Sequence, residues 1–250
     1  MIRDGLRRAS LTAGGWFVMG GSAAACIATV LPAWRLARAW DPDRAVPHRV
    51  ANLAWGRVGF RVAPWWTVTV RGRERLPAGG AYLLCPNHQS FMDVPALHAL
   101  GAPFKWVMDR RFFRVPGFAA WLRAAGYVGV DATDPVSVRA ALDEVERWLR
   151  RGMPVALFPE GTRSRDGRLG RFRRGPFRVA HETGVPVVPV VIRGTRAILP
   201  PDRLSYETPP PWRVEVEVLP PVRAGAHEKP AAMSRATRER LLEALGPDAT

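Results

Sequence analysis

The feature that most constrains this chain is an alternation that begins at residue 66. Short runs rich in β-branched and aromatic residues (66–70, 81–85, 105–108, 127–130, 154–158, 187–192 and 213–219) are separated by stretches with helical spacing (94–100, 117–124, 136–151, 177–182 and 231–245). Strand and helix in turn predict an α/β fold, a central mixed β-sheet flanked by helices. No internal repeat or low-complexity linker interrupts it, and the proline-rich stretch 200–211 reads as a loop inside the domain.

The residues before the alternation are of another kind. Residues 9–34 carry no Asp, Glu, Lys or Arg, and 26 residues at about 1.5 Å each are long enough for a hydrocarbon core of roughly 30 Å. Glycines and alanines dilute the segment, while Trp16 and Trp34 resemble interfacial anchors. It lacks a convincing cleavage site before Leu31-Pro32. Arginines stand on both flanks, so charge sets no orientation, and a true span and a helix lying in one leaflet fit equally. After an Asp/Pro break at 41–47, apolar residues at helical spacing run from Val50 to Phe60 with Arg49, Arg57 and Arg61 outside them. That pattern fits an interfacial helix or a surface helix packed on the domain. The chain is thus expected to divide into an N-terminal membrane-associated helical segment, residues 1–62, and an α/β domain, residues 63–250.

Charge sharpens this division. The net charge is +15, yet 47% of the chain is hydrophobic, which excludes a disordered basic tail. Of the 37 basic residues 35 are arginine, the side chain suited to bidentate phosphate contact, and an anionic partner is expected. The excess sits in blocks: +2 over residues 1–10, +6 over 35–75, +4 over 101–125 and +5 over 160–180, against zero over 181–250. The first two bracket the apolar segment and suit an anionic membrane surface. Cys26 and Cys85 lie far apart and outside any Cys/His cluster, so neither a disulfide nor a metal is expected, and a reducing compartment follows.

Two constellations carry chemistry. In Cys85-Pro86-Asn87-His88-Gln89-Ser90-Phe91-Met92-Asp93 a histidine leaves a strand and an aspartate follows five residues later where a helix begins. Across one tight loop the carboxylate can accept the imidazole Nδ1–H and leave Nε2 free as a general base; the alternative is a loop histidine beside a helix cap. In Phe158-Pro159-Glu160-Gly161-Thr162-Arg163-Ser164, again directly after a strand, glycine admits a ligand close to the backbone. Thr162 and Ser164 offer hydroxyls there and Arg163 a planar fork for phosphate.

Asn-His-x4-Asp at 87–93, Phe-Pro-Glu-Gly-Thr-Arg-Ser at 158–164 and the Val-Pro-Val-Val-Pro-Val-Val-Ile strand at 185–192, in this order, resemble the 1-acylglycerol-3-phosphate acyltransferase (PlsC-like) family over roughly residues 66–200. The resemblance implies a glycerolipid acyltransferase-like fold with His88 as general base and Asp93 as its orienting partner. It also implies acceptor binding by Asn87, Glu160, Gly161, Thr162, Arg163 and Ser164, with Arg163 on the phosphate. The resemblance further implies that a fatty acyl chain passes from acyl-CoA or acyl-carrier protein, as co-substrate, directly to the free hydroxyl of a lysophospholipid, with 1-acyl-sn-glycerol-3-phosphate giving phosphatidic acid. No metal, further cofactor or acylated Ser or Cys is implied, and the catalytic domain is expected on the cytoplasmic face of the cell membrane. One departure stands out: the second family motif aligns with residues 126–131, but Ala132 occupies its usual arginine position and Asp109 a position where relatives often carry lysine. That leaves another acceptor, such as lyso-ornithine lipid, open beside lysophosphatidate.

The rivals are a nucleic-acid-binding protein and a membrane-associated hydrolase. Helix-turn-helix, zinc-finger and RNP patterns are absent from the sequence, and so is a G-x-S-x-G elbow. Nucleic acid is therefore not expected as a partner. Phe91, Met92, Phe112, Phe113 and Trp121 are candidates for the wall of an acyl tunnel, or for plain core.

Overall fold

The fold is that of a computed structural model, which describes residues 2–54 and 66–249, with residues 2–8 and Asp248 described by backbone alone. The helix expected up to Phe60 falls largely on residues 55–65, outside the described residues; residues 52–54 form a π-helical turn.

Among the described residues the strands are β1 Trp66–Arg71, β2 Leu83–Pro86, β3 Lys105–Asp109, β4 Val128–Val130, β5 Val155–Ala156, β6 Val187–Arg193 and β7 Trp212–Val218. The helices are α1 Ile2–Ala37, α2 Ala45–Ala51, α3 Asp93–His98, α4 Phe118–Ala124, α5 Pro135–Arg150, α6 Arg174–Thr183, α7 Thr195–Ile198 and α8 Pro230–Leu245. One seven-stranded sheet runs β1-β7-β6-β2-β5-β3-β4 and is parallel except where β6 meets β7. It is therefore mixed, as expected. Its central strands β2 and β6 are buried at almost every position, which explains why they read as continuous apolar runs.

Two boundaries differ from the sequence reading for definable reasons. The run 154–158 yields only a two-residue strand: Leu157 N still donates to Leu84 O at 3.1 Å, but Pro159 has no N–H and a turn closes from Gly161 N to Phe158 O. Helix α6 starts at Arg174 rather than 177, because Pro176 falls in its first turn, where a missing N–H costs nothing. The short helices α2 and α7 carried no periodic signal.

Helix α1 is docked rather than free-standing. Tyr206 N donates to Thr12 Oγ1 at 3.1 Å, and Trp16 Nε1 donates to Leu204 O at 2.7 Å. A Cβ on Gly15 would lie 2.5 Å from the Tyr206 ring, so glycine lets that ring seat against the helix. Farther along, Cys26, Val30 and Ala37 are buried, and Cys26 and Val30 share an apolar cluster with residues of β2, β6 and β7. The outer face keeps Phe17 and Leu36 exposed, and Ser22 and Thr29 turn their hydroxyls back onto helix carbonyls. The stretch Ala9–Ala37 is long and apolar enough to cross a membrane.

Beneath the sheet edge Lys105 is fully buried. Its Nζ donates to Arg44 O at 2.9 Å and Ala125 O at 2.8 Å, and lies 4.7 Å from the Trp148 ring centroid. Burial lowers its pKa from 10.5 to about 7. Between these values the unfolded chain binds more protons than the folded one, so stability rises as pH climbs from 7 towards 10.5 and is flat below 7. We expect the wild-type Tm to rise between pH 7 and 9 and the Lys105→Met variant to lose that rise. Parallel Tm curves for the two proteins would contradict it.

Candidate active site

Both motifs sit where the fold puts the ends of adjacent parallel strands. β2 and β5 pair in register, so the loops leaving them, 87–92 and 157–173, emerge side by side at the carboxyl edge of the sheet. There the two loops are knitted together. His88 N donates to Glu160 Oε1 at 3.0 Å, Ser164 N donates to His88 O at 2.8 Å, and Gly170 N donates to Glu160 Oε2 at 2.9 Å.

The loop turns His88 and Asp93 onto each other. His88 Nδ1 lies 2.8 Å from Asp93 Oδ2, and the same oxygen accepts Gln89 N at 2.7 Å and Ser90 N at 2.8 Å. Asp93 Oδ1 accepts the Thr195 hydroxyl at 2.6 Å. Four donors converge on a carboxylate that is fully buried, and a carboxylate accepting at Nδ1 fixes the imidazole with its proton there. The His88 ring lies flat on Phe158, centroids 3.6 Å apart and planes 10° apart, with Nε2 unbonded among the described residues.

The remaining sequence candidates fall into two groups. Gly161, Thr162 and Arg163 are exposed and line a cavity that His88 also lines. Asn87, Glu160 and Ser164 are engaged with protein. The Asn87 amide donates to Ile192 O at 3.0 Å and accepts Ile192 N at 2.7 Å, tying β2's end to β6. Burial pushes the Glu160 carboxyl above its ordinary value, partly offset by its two N–H bonds. Ser164 Oγ donates to Asp166 and accepts Gly167 N.

The cavity measures about 390 Å³ and runs from exposed Thr162, Arg163 and Arg173 inward to buried Trp106, Trp121 and Tyr127. Of the five residues weighed as tunnel wall or core, Phe91, Phe112 and Trp121 line it. Met92 and Phe113 do not: Met92 takes the Tyr206 hydroxyl at its sulfur, and Phe113 packs over Gly129. Ala132 lies in the wall, so the position that departs from the family motif does face the cavity. Asp109 and Arg111 are also in the wall but clasp each other, Arg111 Nε and Nη2 donating to Asp109 Oδ2 at 3.0 and 2.7 Å; this holds the Asp109 carboxyl below its ordinary value. Arg163 and Arg173 make no side-chain hydrogen bond or ion pair among the described residues.

Phe158 and Thr195, which touch His88 and Asp93, were not among the sequence candidates, whereas Arg173 belongs to the basic block at 160–180. Phe158 was legible in part, since it opens the second motif; Thr195 stands 102 residues from its partner and no spacing betrays it. Neither alternative nucleophile is placed to act. Ser90 Oγ donates to Leu199 O at 2.7 Å in full burial, and burial pushes the Cys85 thiol well up.

Likeness to known proteins covers the stretch that holds both loops. Residues 67–193 match the family described as Acyltransferase. The chloroplastic 1-acyl-sn-glycerol-3-phosphate acyltransferase of Arabidopsis thaliana is 36% identical over 64% of this chain and 45% of its own length. That of Brassica napus is 33% identical over 73% and 53%. The chain thus spans about half the length of these curated relatives. The crystal structure of the 1-acyl-sn-glycerophosphate acyltransferase PlsC from Thermotoga maritima superposes with a TM-score of 0.81 at 27% identity, covering 96% of this chain and 95% of that one. With a buried Asp93 behind His88, an apolar cavity before it and these likenesses, the chain belongs to the 1-acylglycerol-3-phosphate acyltransferase (PlsC-like) family.

Proposed function

We propose that this protein is an O-acyltransferase that moves a fatty acyl group from a thioester to the hydroxyl of lysophosphatidate. The carrying observation is His88 held by Asp93 at Nδ1, with Nε2 unbonded among the described residues and the ring on an apolar cavity whose exposed end bears Arg163 and Arg173. The acceptor phosphate sits against the arginines and the acyl chain of the donor in the cavity. His88 Nε2 takes the proton from the acceptor hydroxyl as its oxygen attacks the thioester carbonyl. Asp93 stabilises the imidazolium, and the tetrahedral intermediate expels thiolate, which takes the proton back from Nε2. The new ester bond replaces the C–S bond, and no acyl-enzyme is formed.

We further place α1 in one leaflet. A helix held to the catalytic domain from Thr12 to Ala37 has no length left free to cross a bilayer alone, while its exposed Phe17 and Leu36 and the flanking arginines suit a headgroup boundary. A second acceptor reading rests on Ala132: without an arginine at that position, a lyso-aminolipid such as lyso-ornithine lipid becomes a competitor.

The test is thiol release from acyl-CoA with lysophosphatidate, a lyso-aminolipid or no acceptor, in parallel with acyl-carrier protein as donor and with sedimentation on anionic vesicles. Release only with lysophosphatidate supports the proposal. Release into water alone, or only with the aminolipid, overturns it, and failure to sediment overturns the leaflet placement. Arg163→Ala should raise the acceptor KM roughly 10- to 100-fold, the loss of a charge-assisted hydrogen bond of about 1.5–3 kcal/mol. A change confined to the donor KM would move the phosphate elsewhere.

A further inference from the structure

The geometry assigns Thr195 as a positioning residue of the His88–Asp93 pair, holding the aspartate by the oxygen that the imidazole does not use. The assignment rests on the reading of His88 as the base. Thr195 is fully buried, and its Oγ1 lies 2.6 Å from Asp93 Oδ1, the length of a hydroxyl-to-carboxylate bond. Since an ionised carboxylate has no proton to give, Thr195 is the donor.

The chain is shaped to deliver it. β6 ends at Arg193, and Gly194 follows at φ +90, where an added Cβ would lie 2.3 Å from Arg213 O. Glycine alone permits that close turn, which sets Thr195 at the start of α7 against a residue 102 positions earlier.

The two oxygens of Asp93 are supplied unequally. Oδ2 takes His88 Nδ1 and two backbone N–H groups, whereas Oδ1 takes the Thr195 hydroxyl. Without that hydroxyl a buried anionic oxygen is left unsatisfied and the carboxylate plane loses the contact that fixes its rotation. The titratable and charged groups around the pair are few. His88 stands on the same loop, Glu160 comes from the β5–α6 loop with its oxygens already bonded, and Arg196 of α7 turns away to Arg165 O at 2.5 Å. Nothing among them replaces the lost donor. With one donor fewer the carboxylate can turn away from His88 Nδ1, and the imidazole loses the partner that fixes its orientation and tautomer.

The experiment uses the full chain in detergent micelles with palmitoyl-CoA and lysophosphatidate, comparing Thr195→Val, Thr195→Ala and Thr195→Ser. Removal of the hydroxyl should lower kcat roughly 10- to 100-fold and leave the acceptor KM within about twofold. Serine, which keeps the hydroxyl, should stay within about threefold of wild type. Alanine repeats the comparison should the valine protein fail to fold. Wild-type kinetics in Thr195→Val and Thr195→Ala, an equal loss in Thr195→Ser, or a loss carried by the acceptor KM each overturn the assignment. Those outcomes are told apart from failure of the parent reading by His88→Ala, whose activity would condemn the base itself.

Discussion

His88→Ala should lose thiol release and ester formation together, by about 10⁴-fold, the upper end of what a general base contributes. The upper end is expected because no neighbouring group can stand in. Asp93 has both oxygens bonded and its side chain is 1% exposed; Glu160 is buried with its oxygens given to His88 N and Gly170 N. Ser90 is locked onto Leu199 O, so no covalent route opens in its place. The fold should survive, since the bonds that join the two loops at His88 use its backbone N and O rather than its ring. What the ring itself contributes is the stack on Phe158 and the bond to Asp93. The measurement is kcat with lysophosphatidate beside a thermal melt. A folded His88→Ala protein within tenfold of wild type would remove His88 from the mechanism.

The contact between His88 and Asp93 was legible because the two share one loop, and the grouping of Glu160 to Ser164 because they share another, while the roles expected of them came from the family resemblance. What spacing did not disclose is how the loops are joined. Glu160 and Asn87, expected at the acceptor, are tied instead to the backbone of His88, Gly170 and Ile192 across the sheet. Such bonds depend on strand order, β6-β2-β5, which no local pattern encodes. The same holds for Thr195. The apolar segment was legible as long and apolar but not as docked, because the contacts that seat it lie with Leu204 and Tyr206 in a loop whose proline content signalled irregularity and nothing more.

Asp93→Asn should cost kcat at least about 10³-fold while leaving the loop in place, and it separates the aspartate's charge from its geometry. Three donors face Oδ2 and the Thr195 hydroxyl faces Oδ1. An asparagine that keeps its oxygen towards the three donors turns its NH₂ to Thr195, whose hydroxyl can rotate from donor to acceptor. His88 then retains a partner at Nδ1, and what disappears is the negative charge that steadies the imidazolium formed in the transfer. Should the amide turn the other way, its NH₂ meets His88 Nδ1 and puts the proton on Nε2, the tautomer that cannot accept; comparable loss of a triad aspartate costs about 10⁴-fold. Both orientations cripple the base. The measurement is kcat with lysophosphatidate beside a thermal melt, and residual activity within tenfold of wild type in a folded Asp93→Asn protein would mean that Asp93 supports the loop without supporting the chemistry.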